Sequence, residues 1–519
     1  MGSVRMLLHA LLLQALPLCS MAASILGFFP FPGNSHHHLF GPLMERLSAD
    51  GHEVLYVTPI SWKSNQSNHT ELMVTNYGPK VLGTLDFIEL GEMNIARHSH
   101  TVYNQIIYLM EHVLQEEGIQ KLIHSKRSFD AVIMESYFFQ EANSALIHKF
   151  GAVGIELVPL ADSAWVNELS GLPNSYSFMM DYKTMLTDQM TLSDKIYNLY
   201  VGYAATLASY YNLRRMQELM DRYYNYTGWE SRPPLTKLVS NRSIILINKD
   251  PLLAYPFPTS PHVKEIAGIH ILPTKPLPKR LREFMDEAEN GVIYMSLGLN
   301  LVVSDVLQDS FFTFLNVFSQ LKQRVLMKWE ADYDGSLPSN VMIMKKFPQQ
   351  DILAHRNCIL FITHGGYMSL VETVYHGIPL VGIPFYGDQP KNVIWSQEVG
   401  IGVHLSLKNL TEASIKWAVK EVIENKSYRE RVQQRSRMVK DRRHSALDEA
   451  VFWVEHAIKY PNALTPASAY MTFLELHMLD LGLTVLVLLI VMVAILCFLC
   501  KAFAMLGGLS TNKKKLKAQ

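Results

Sequence analysis

Cysteine is scarce, with four in 519 residues: Cys19, Cys358, Cys497 and Cys500. That scarcity excludes a small scaffold stapled by disulfides. No sign of charge prevails, because 47 Lys and Arg stand against 47 Asp and Glu. A chain this balanced offers no general attraction to a polyanion, so no nucleic-acid partner is expected. Charged residues make up only 18 %, below the usual quarter. The 49 % of hydrophobic residues in turn excludes a disordered chain. At roughly 150 residues per domain, the length predicts two or three domains with sizeable cores.

Two apolar runs near the ends explain part of the low charge. Met6–Leu18 follows Arg5 and leads into Ser20, Ala22, Ala23 and Ser24. A basic start, a short apolar run and a small-residue exit read as a secretory signal peptide over residues 1–23. The run is short for a retained anchor. Leu481–Cys500 is twenty residues without a charge and reads as one transmembrane helix. No polar face interrupts it, which argues against a buried core helix. Glu475 and Asp480 precede it, whereas Lys501, Lys513, Lys514, Lys515 and Lys517 follow it without an acid. The positive-inside rule then puts tail 501–519 in the cytosol and the bulk of the chain in the lumen, as a single-pass type I protein. Lys515 and Lys517, at the third and fifth places from the end, resemble a dilysine retrieval signal of the endoplasmic reticulum. Lysines beside a membrane also occur for charge reasons alone. Only Cys358 remains in the lumenal part, which excludes an internal disulfide there. Six N-x-S/T sequons, at Asn65, Asn68, Asn225, Asn241, Asn409 and Asn425, are consistent with the lumen.

Between the two runs the chain alternates strand and helix patterns. Ile25–Pro30 reads as a buried strand. Leu39, Phe40, Leu43, Met44 and Leu47 recur at helical spacing, and Val54–Val57 reads as a second strand. That is a βαβ unit. Ala131–Met134 is a later buried strand, with a helix expected near Ala142–Phe150. The Tyr- and Met-rich stretch from Asn174 to Tyr226 suits helices lining an apolar cleft and suits ordinary packing equally. Leu272–Pro278 carries three prolines and no periodicity, the composition of a linker. Beyond it the rhythm restarts: strands at Val292–Ser296, Arg324–Lys328, Val341–Met344, Ile359–Thr363 and Pro379–Ile383, and helices at Phe311–Gln320 and Met368–His376. The expected plan is an N-terminal α/β domain over 24–272, a linker over 273–290 and a second α/β domain over 291–460. A membrane-proximal segment, 461–480, and the helix and tail complete it. Two doubly wound domains would face a cleft, with ligands outside the carboxyl ends of the strands.

The segment Phe361–Gln389 reads F-I-T-H-G-G-Y-M-S-L-V-E-T-V-Y-H-G-I-P-L-V-G-I-P-F-Y-G-D-Q. A strand ends at Thr363, and His364, Gly365 and Gly366 form a loop of little bulk before a helix. Such a loop lets the backbone approach an anion, and the helix start offers N–H groups and a positive dipole end. Glycines in a turn are weak evidence alone. Glu372 on the helix, and Asp388 with Gln389 after the next strand, add polar groups suited to the hydroxyls of one sugar ring.

This stretch resembles the signature of the UDP-glycosyltransferase family and meets every fixed position of it. The likeness is to the insect-type microsomal UDP-glucosyl and glucuronosyltransferases and extends over essentially the whole chain. It implies the GT-B fold, two Rossmann-like domains plus one C-terminal membrane helix, located in the endoplasmic reticulum membrane. It implies inverting transfer of a hexose, glucose first, from a UDP-sugar to a small lipophilic acceptor, with no cofactor and no metal. His364, Gly365 and Gly366 should meet the diphosphate, Ser369 a phosphate, Glu372 the ribose, and Asp388 with Gln389 the donor sugar. Gln349 lies in the segment that borders the uracil. His36, after the first strand and loop, matches the place of the catalytic base, for which an imidazole is suited. His37 and His38 extend it to three consecutive histidines, but neighbours on a helix diverge and do not converge on one ion. A carboxylate should fix the base. Where relatives have Asp after the Ala131–Met134 strand, this chain has Glu135, with Glu141 further along.

Three positions depart from the pattern: Lys346 and Met327 stand where Trp is usual, though Trp329 is near, and Leu299 replaces a Ser. Loss of a ring stacked on uracil costs on the order of 1–2 kcal/mol. These departures keep a second reading open, a catalytically weak member that binds lipophilic ligands or modulates partner transferases. A secreted carbohydrate-binding protein fits less well with the apolar run at 481–500. The sequence is compatible with a homo- or hetero-oligomer.

Overall fold

The computed structural model describes residues 22–160, 163–299 and 302–516, with the helical backbone alone from 506 onward. Residues 1–21 of the expected signal peptide and the side chains of Lys513, Lys514, Lys515 and Lys517 lie outside the described residues. The chain divides into two compact units, residues 1–466 and 467–519.

The first unit holds two parallel sheets. One is built from β1 (Ser24–Phe28), β2 (Glu53–Thr58), β3 (His69–Met73), β4 (Ala131–Met134), β5 (Val153–Val158), β6 (Ile244–Ile247) and β7 (Val263–Glu265), ordered β3-β2-β1-β4-β5-β6-β7. The other is built from β8 (Val292–Ser296), β9 (Arg324–Lys328), β10 (Val341–Met344), β11 (Cys358–Thr363), β12 (Leu380–Gly382) and β13 (Gly402–His404), ordered β10-β9-β8-β11-β12-β13. Buried Val, Ile, Leu and Met fill β4, β6 and β8 almost without interruption, as strands covered on both faces require. Both sheets follow the Rossmann order, which reverses beside the first strand. The reversal falls between β1 and β4, where Phe28 pairs with Met134, and between β8 and β11, where Ser296 pairs with Thr363. Loops leaving these four strands therefore open at the switch points.

Helix α1 (Asn34–Ala49) follows β1 and buries Leu39, Phe40, Leu43, Met44 and Leu47. Helices α2 (Phe87–Glu92) and α3 (Ile95–Gln115) lie between β3 and β4. Helix α4 (Leu192–Tyr223) packs its Leu213, Met216 and Met220 side into the same core as Leu109, Met110 and Val113 of α3. The linker at Leu272–Pro278 has no regular element and is pinned by its backbone: Leu272 N–H donates to Gln350 at 3.1 Å, Lys275 N–H to Asp351 at 2.7 Å. Helices α5 (Tyr367–His376) and α6 (Gln389–Glu398) carry the signature segment.

One boundary differs from expectation. The span 291–460 was expected to form the second domain, yet helix α7 (Ala446–Lys459) lies on the first sheet. Its Ala450, Val451, Val454 and Ala457 share a core with Ile25, Ile155 and Ile244. Arg46 of α1 also pairs with Asp448 at 2.6 Å. The chain crosses back because α7 carries an apolar stripe at helical spacing that the first sheet covers.

The second unit contains helix α8 (Leu479–Leu516), in which Leu479–Met505 is long and apolar enough to cross a membrane. The apolar span is thus somewhat longer than 481–500.

Candidate active site

A cavity of about 550 Å³ lies at the carboxyl ends of both sheets, lined by residues of both. His36 enters it from the first turn of α1. Its Nδ1 pairs with the Glu135 carboxylate, which sits one residue past β4. The adjacency of β1 and β4 produces this meeting. The rings of Phe31 and Phe138 flank the imidazole, at centroid distances of 4.8 and 4.9 Å. Glu135 is 2 % exposed. Burial pushes its pKa up, and the partner His36 opposes that push.

The neighbouring histidines diverge. His37 is buried: its Nε2 donates to the Phe31 carbonyl at 2.8 Å, and its Nδ1 lies 3.0 Å from the Tyr56 hydroxyl. Burial lowers its pKa to about 4, so it stays neutral. His38 is exposed and its Nδ1 lies 2.7 Å from the Asn34 carbonyl. Glu141 is remote from this pair, accepting from Tyr103 at 2.9 Å and Trp165 at 3.0 Å.

On the opposite wall, β11 ends at Thr363 and the loop His364–Gly366 starts α5. Gly365 has φ +81°, and a Cβ there would meet Val393 at 2.3 Å. The His364 ring sits between Gly298 and Gly366, where added Cβ atoms would lie 2.9 and 2.6 Å from its Nε2. Burial and the nearby Lys328 ammonium lower the His364 pKa to about 4, leaving a neutral imidazole. Gln349, Ser369 and Glu372 come together in one network: Gln349 Nε2 donates to Glu372 at 2.7 Å and to Ser369 at 3.1 Å. Burial raises the Glu372 pKa to about 7.

Asp388 precedes α6 but does not cap it. Its carboxylate accepts from Asn392 at 2.6 Å and from the Tyr367 N–H at 3.2 Å, and so caps the adjacent helix α5 instead. Burial raises its pKa, against the pull of these donors and of His36. Gln389 is buried, and its Oε1 accepts from the Phe385 and Tyr386 N–H groups at 2.9 and 3.2 Å. That bond holds the loop bearing Asp388 closed. All ten predicted residues but Glu135 and Gly365 line the cavity directly. Glu135 lies behind His36, paired with it.

Other lining residues carry no motif. Lys328, at the carboxyl end of β9, is 6 % exposed and pairs with Glu330. A cation ending a parallel strand was the available signal. Of the departures, Leu299 and Lys346 line the cavity, whereas Met327 is fully buried and Trp329 packs on Phe311 at 4.6 Å in the core. Trp329 is therefore no substitute for a cavity ring. The acceptor-side wall comes mainly from α2, α3 and the loops after β4 and β5. From the Asn174–Tyr226 stretch only Tyr182 lines the cavity, since α4 packs behind α3. No group of three or more His, Cys, Asp or Glu among the described residues is arranged to hold a metal ion.

Two such domains meeting over one cavity form the GT-B fold. Similar solved structures include CalG4, the calicheamicin glycosyltransferase, at TM-score 0.59 and 16 % identity over 85 % of this chain and 99 % of that one. A UDP-glucosyltransferase from Polygonum tinctorium capable of glucosylating indoxyl gives TM-score 0.55 and 16 % identity over 84 % and 99 %. Within that fold class, residues 44–515 match the family described as UDP-glucoronosyl and UDP-glucosyl transferase, and the chain belongs to it. It is therefore a transferase of sugars from UDP-sugars. UDP-glycosyltransferase UGT4 of Dactylopius coccus is 31 % identical over 94 % of this chain and 96 % of its own. UDP-glucosyltransferase 2 of the same organism is 31 % identical over 98 % and 99 %. Human UDP-glucuronosyltransferase 2B7 is 33 % identical over 57 % and 55 %.

Proposed function

We propose that this protein transfers a hexose, glucose first, from its UDP-sugar to a hydroxyl of a small lipophilic acceptor, with inversion. One observation carries the reading: the His36–Glu135 pair opens onto the same cavity as Asp388, Glu372 and the His364 loop. With Nδ1–H donating to Glu135, Nε2 is the nitrogen left to take a proton. The acceptor oxygen attacks the anomeric carbon as its proton passes to Nε2. The bond from that carbon to the diphosphate breaks, and UDP leaves with the electron pair. Glu135 then faces an imidazolium, which offsets the cost of its burial.

The leaving diphosphate meets the neutral His364 as an N–H donor, the Lys328 ammonium and the start of α5. Glu372 accepts from the ribose, Gln349 borders the base, and Asp388 with Gln389 holds the sugar. Glucose is favoured because a Dactylopius coccus relative aligned over nearly its whole length is named a UDP-glucosyltransferase. The apolar acceptor wall of Phe31, Val81, Leu85, Phe87 and Leu90 favours a lipophilic acceptor. The apolar span of α8 supports a membrane-anchored enzyme, proposed in the endoplasmic reticulum with the transferase part lumenal.

The test is a screen of UDP-glucose, UDP-glucuronic acid, UDP-galactose and UDP-N-acetylglucosamine against a phenol panel, with wild type and His36→Ala. Turnover with UDP-glucose that His36→Ala abolishes supports the reading, and equal turnover in both proteins removes the base. Lys346 and Leu299 in the cavity favour the second reading, a weak catalyst that binds lipophilic ligands. Calorimetric titration that detects no binding of UDP-glucose at millimolar concentration would select it.

A further inference from the structure

The acceptor wall contains an imidazole that the transfer step leaves unused. Helix α3 turns His98, Val102, Gln105 and Ile106 toward the cavity, at the i, i+4, i+7 and i+8 spacing of one helix face. His98 is 5 % exposed. Among the described residues, none holds a hydrogen bond to its ring. Burial, helped by the nearby Lys183 ammonium, lowers its pKa to about 3. The ring is thus a neutral donor and acceptor at physiological pH.

The His98 ring nitrogens are not sealed among buried atoms that lack a partner but reach the cavity, where a ligand can bond them. An imidazole at this position keeps a hydrogen-bonding capacity that Leu or Phe would lack. His36 and His98 belong to different helices, α1 and α3, and open on the same cavity. A ligand with one hydroxyl at His36 therefore has an apolar wall beside it and a second polar group to satisfy.

Resting on the proposed transfer reaction, we propose that His98 is the polar anchor of the acceptor subsite. It binds a neutral hydroxyl or carbonyl that an otherwise apolar acceptor carries away from the hydroxyl being glycosylated. The preferred acceptors are then bifunctional, such as diols and hydroxyketones on a ring skeleton. Gln105, seven residues along the same face, extends this polar strip.

The experiment uses full-length protein in detergent and two matched pairs of probes: para-phenylphenol with its para,para′-diol, and 2-naphthol with naphthalene-2,6-diol. Affinities are read by isothermal titration without donor. The wild type should bind the diol of at least one pair about three- to tenfold more tightly than its monohydroxy partner, the worth of one neutral hydrogen bond. His98→Leu should close that gap. His98→Gln, which also offers a donor and an acceptor, should restore part of it and controls for misfolding. Equal affinities within both pairs, absence of binding, or a gap that survives His98→Leu overturns the proposal. Turnover by His36→Ala is measured alongside. Its loss or retention bears on the base alone, so failure of the anchor and failure of the transfer mechanism are told apart.

Discussion

The imidazole of His36 and the carboxylate of Glu135 are separated by 99 residues in sequence and paired in space, because β1 and β4 are neighbours at the point where the strand order reverses. The pair predicts an asymmetric response to mutation. His36→Ala should lower kcat by roughly 10²–10⁴, the range for losing a general base. Glu135→Gln should lower kcat by about 10- to 100-fold, the range for a group that orients another. Both variants should leave UDP affinity near that of wild type. Steady-state kinetics with the best donor, beside calorimetric titration of UDP, checks both statements. A Glu135→Gln enzyme with wild-type kcat would show that orientation comes from the flanking Phe31 and Phe138 instead.

Glu372 predicts a pH dependence of donor binding. Its pKa is raised to about 7 in the free protein, chiefly by burial. Ribose hydroxyls donating to it favour the charged carboxylate, so binding should release a proton. UDP affinity should therefore rise as pH increases from 6 to 8, and Glu372→Gln should remove the trend. Titrations in buffers of different ionisation enthalpy count the proton released. A slope unchanged in Glu372→Gln would assign the dependence to another group.

Much of this was legible in the chain. Strands bounded by turn residues identified β8 to β11 nearly to the residue, because parallel strands buried on both faces read as continuous apolar runs. The site residues after β11 and β12 were legible because glycines, an acid and an amide follow strand ends. Other parts were not. Helix α7 is amphipathic, and nothing in its sequence says which of two sheets covers its stripe. Lys328 is a single cation at a strand end, and its place in the cavity depends on the register of β9 against β8. The acceptor wall of α2 and α3 comes from helices without a motif, so His98 emerged only when the fold brought that face to the cavity.

Glu141 predicts a pH dependence of stability. It is fully buried, its pKa is raised from 4.5 to about 7, and burial is the main cause. Between those values the native protein keeps a proton that the unfolded chain has lost. Its contribution to stability is therefore fully present below about pH 4.5 and falls as pH rises toward 7. Glu141→Gln keeps an acceptor for Tyr103 and Trp165 and cannot ionise. Its melting temperature should match wild type at pH 5 and exceed it by several degrees at pH 8. Thermal unfolding in detergent at both values checks this. Equal differences at both would show that Glu141 does not ionise in that range.

Gly91 predicts that the cavity can be opened by one methyl group. A Cβ at Gly91 would lie 2.3 Å from the Phe385 carbonyl oxygen, a backbone atom that cannot rotate away. Its φ is not among the positive values, so alanine is conformationally allowed and the clash is purely steric. Around it, the Phe87 and Tyr386 rings lie 4.5 Å apart, and Glu92 pairs with Lys408 at 2.6 Å. Gln389 ties the Phe385 and Tyr386 backbone to the loop bearing Asp388, so a displaced α2 moves the Asp388 carboxylate relative to His36. Gly91→Ala should therefore lower kcat/KM by about tenfold or more, as misplacement of reacting groups does. Its melting temperature should change by only a few degrees, because the cores around both sheets are untouched. Glu92→Gln is the contrasting variant. Its ion pair is exposed, and such pairs contribute about 0–1 kcal/mol, so kcat/KM should change by less than about fivefold. If the glutamine variant is the more damaging, charge rather than close backbone contact holds the two walls together.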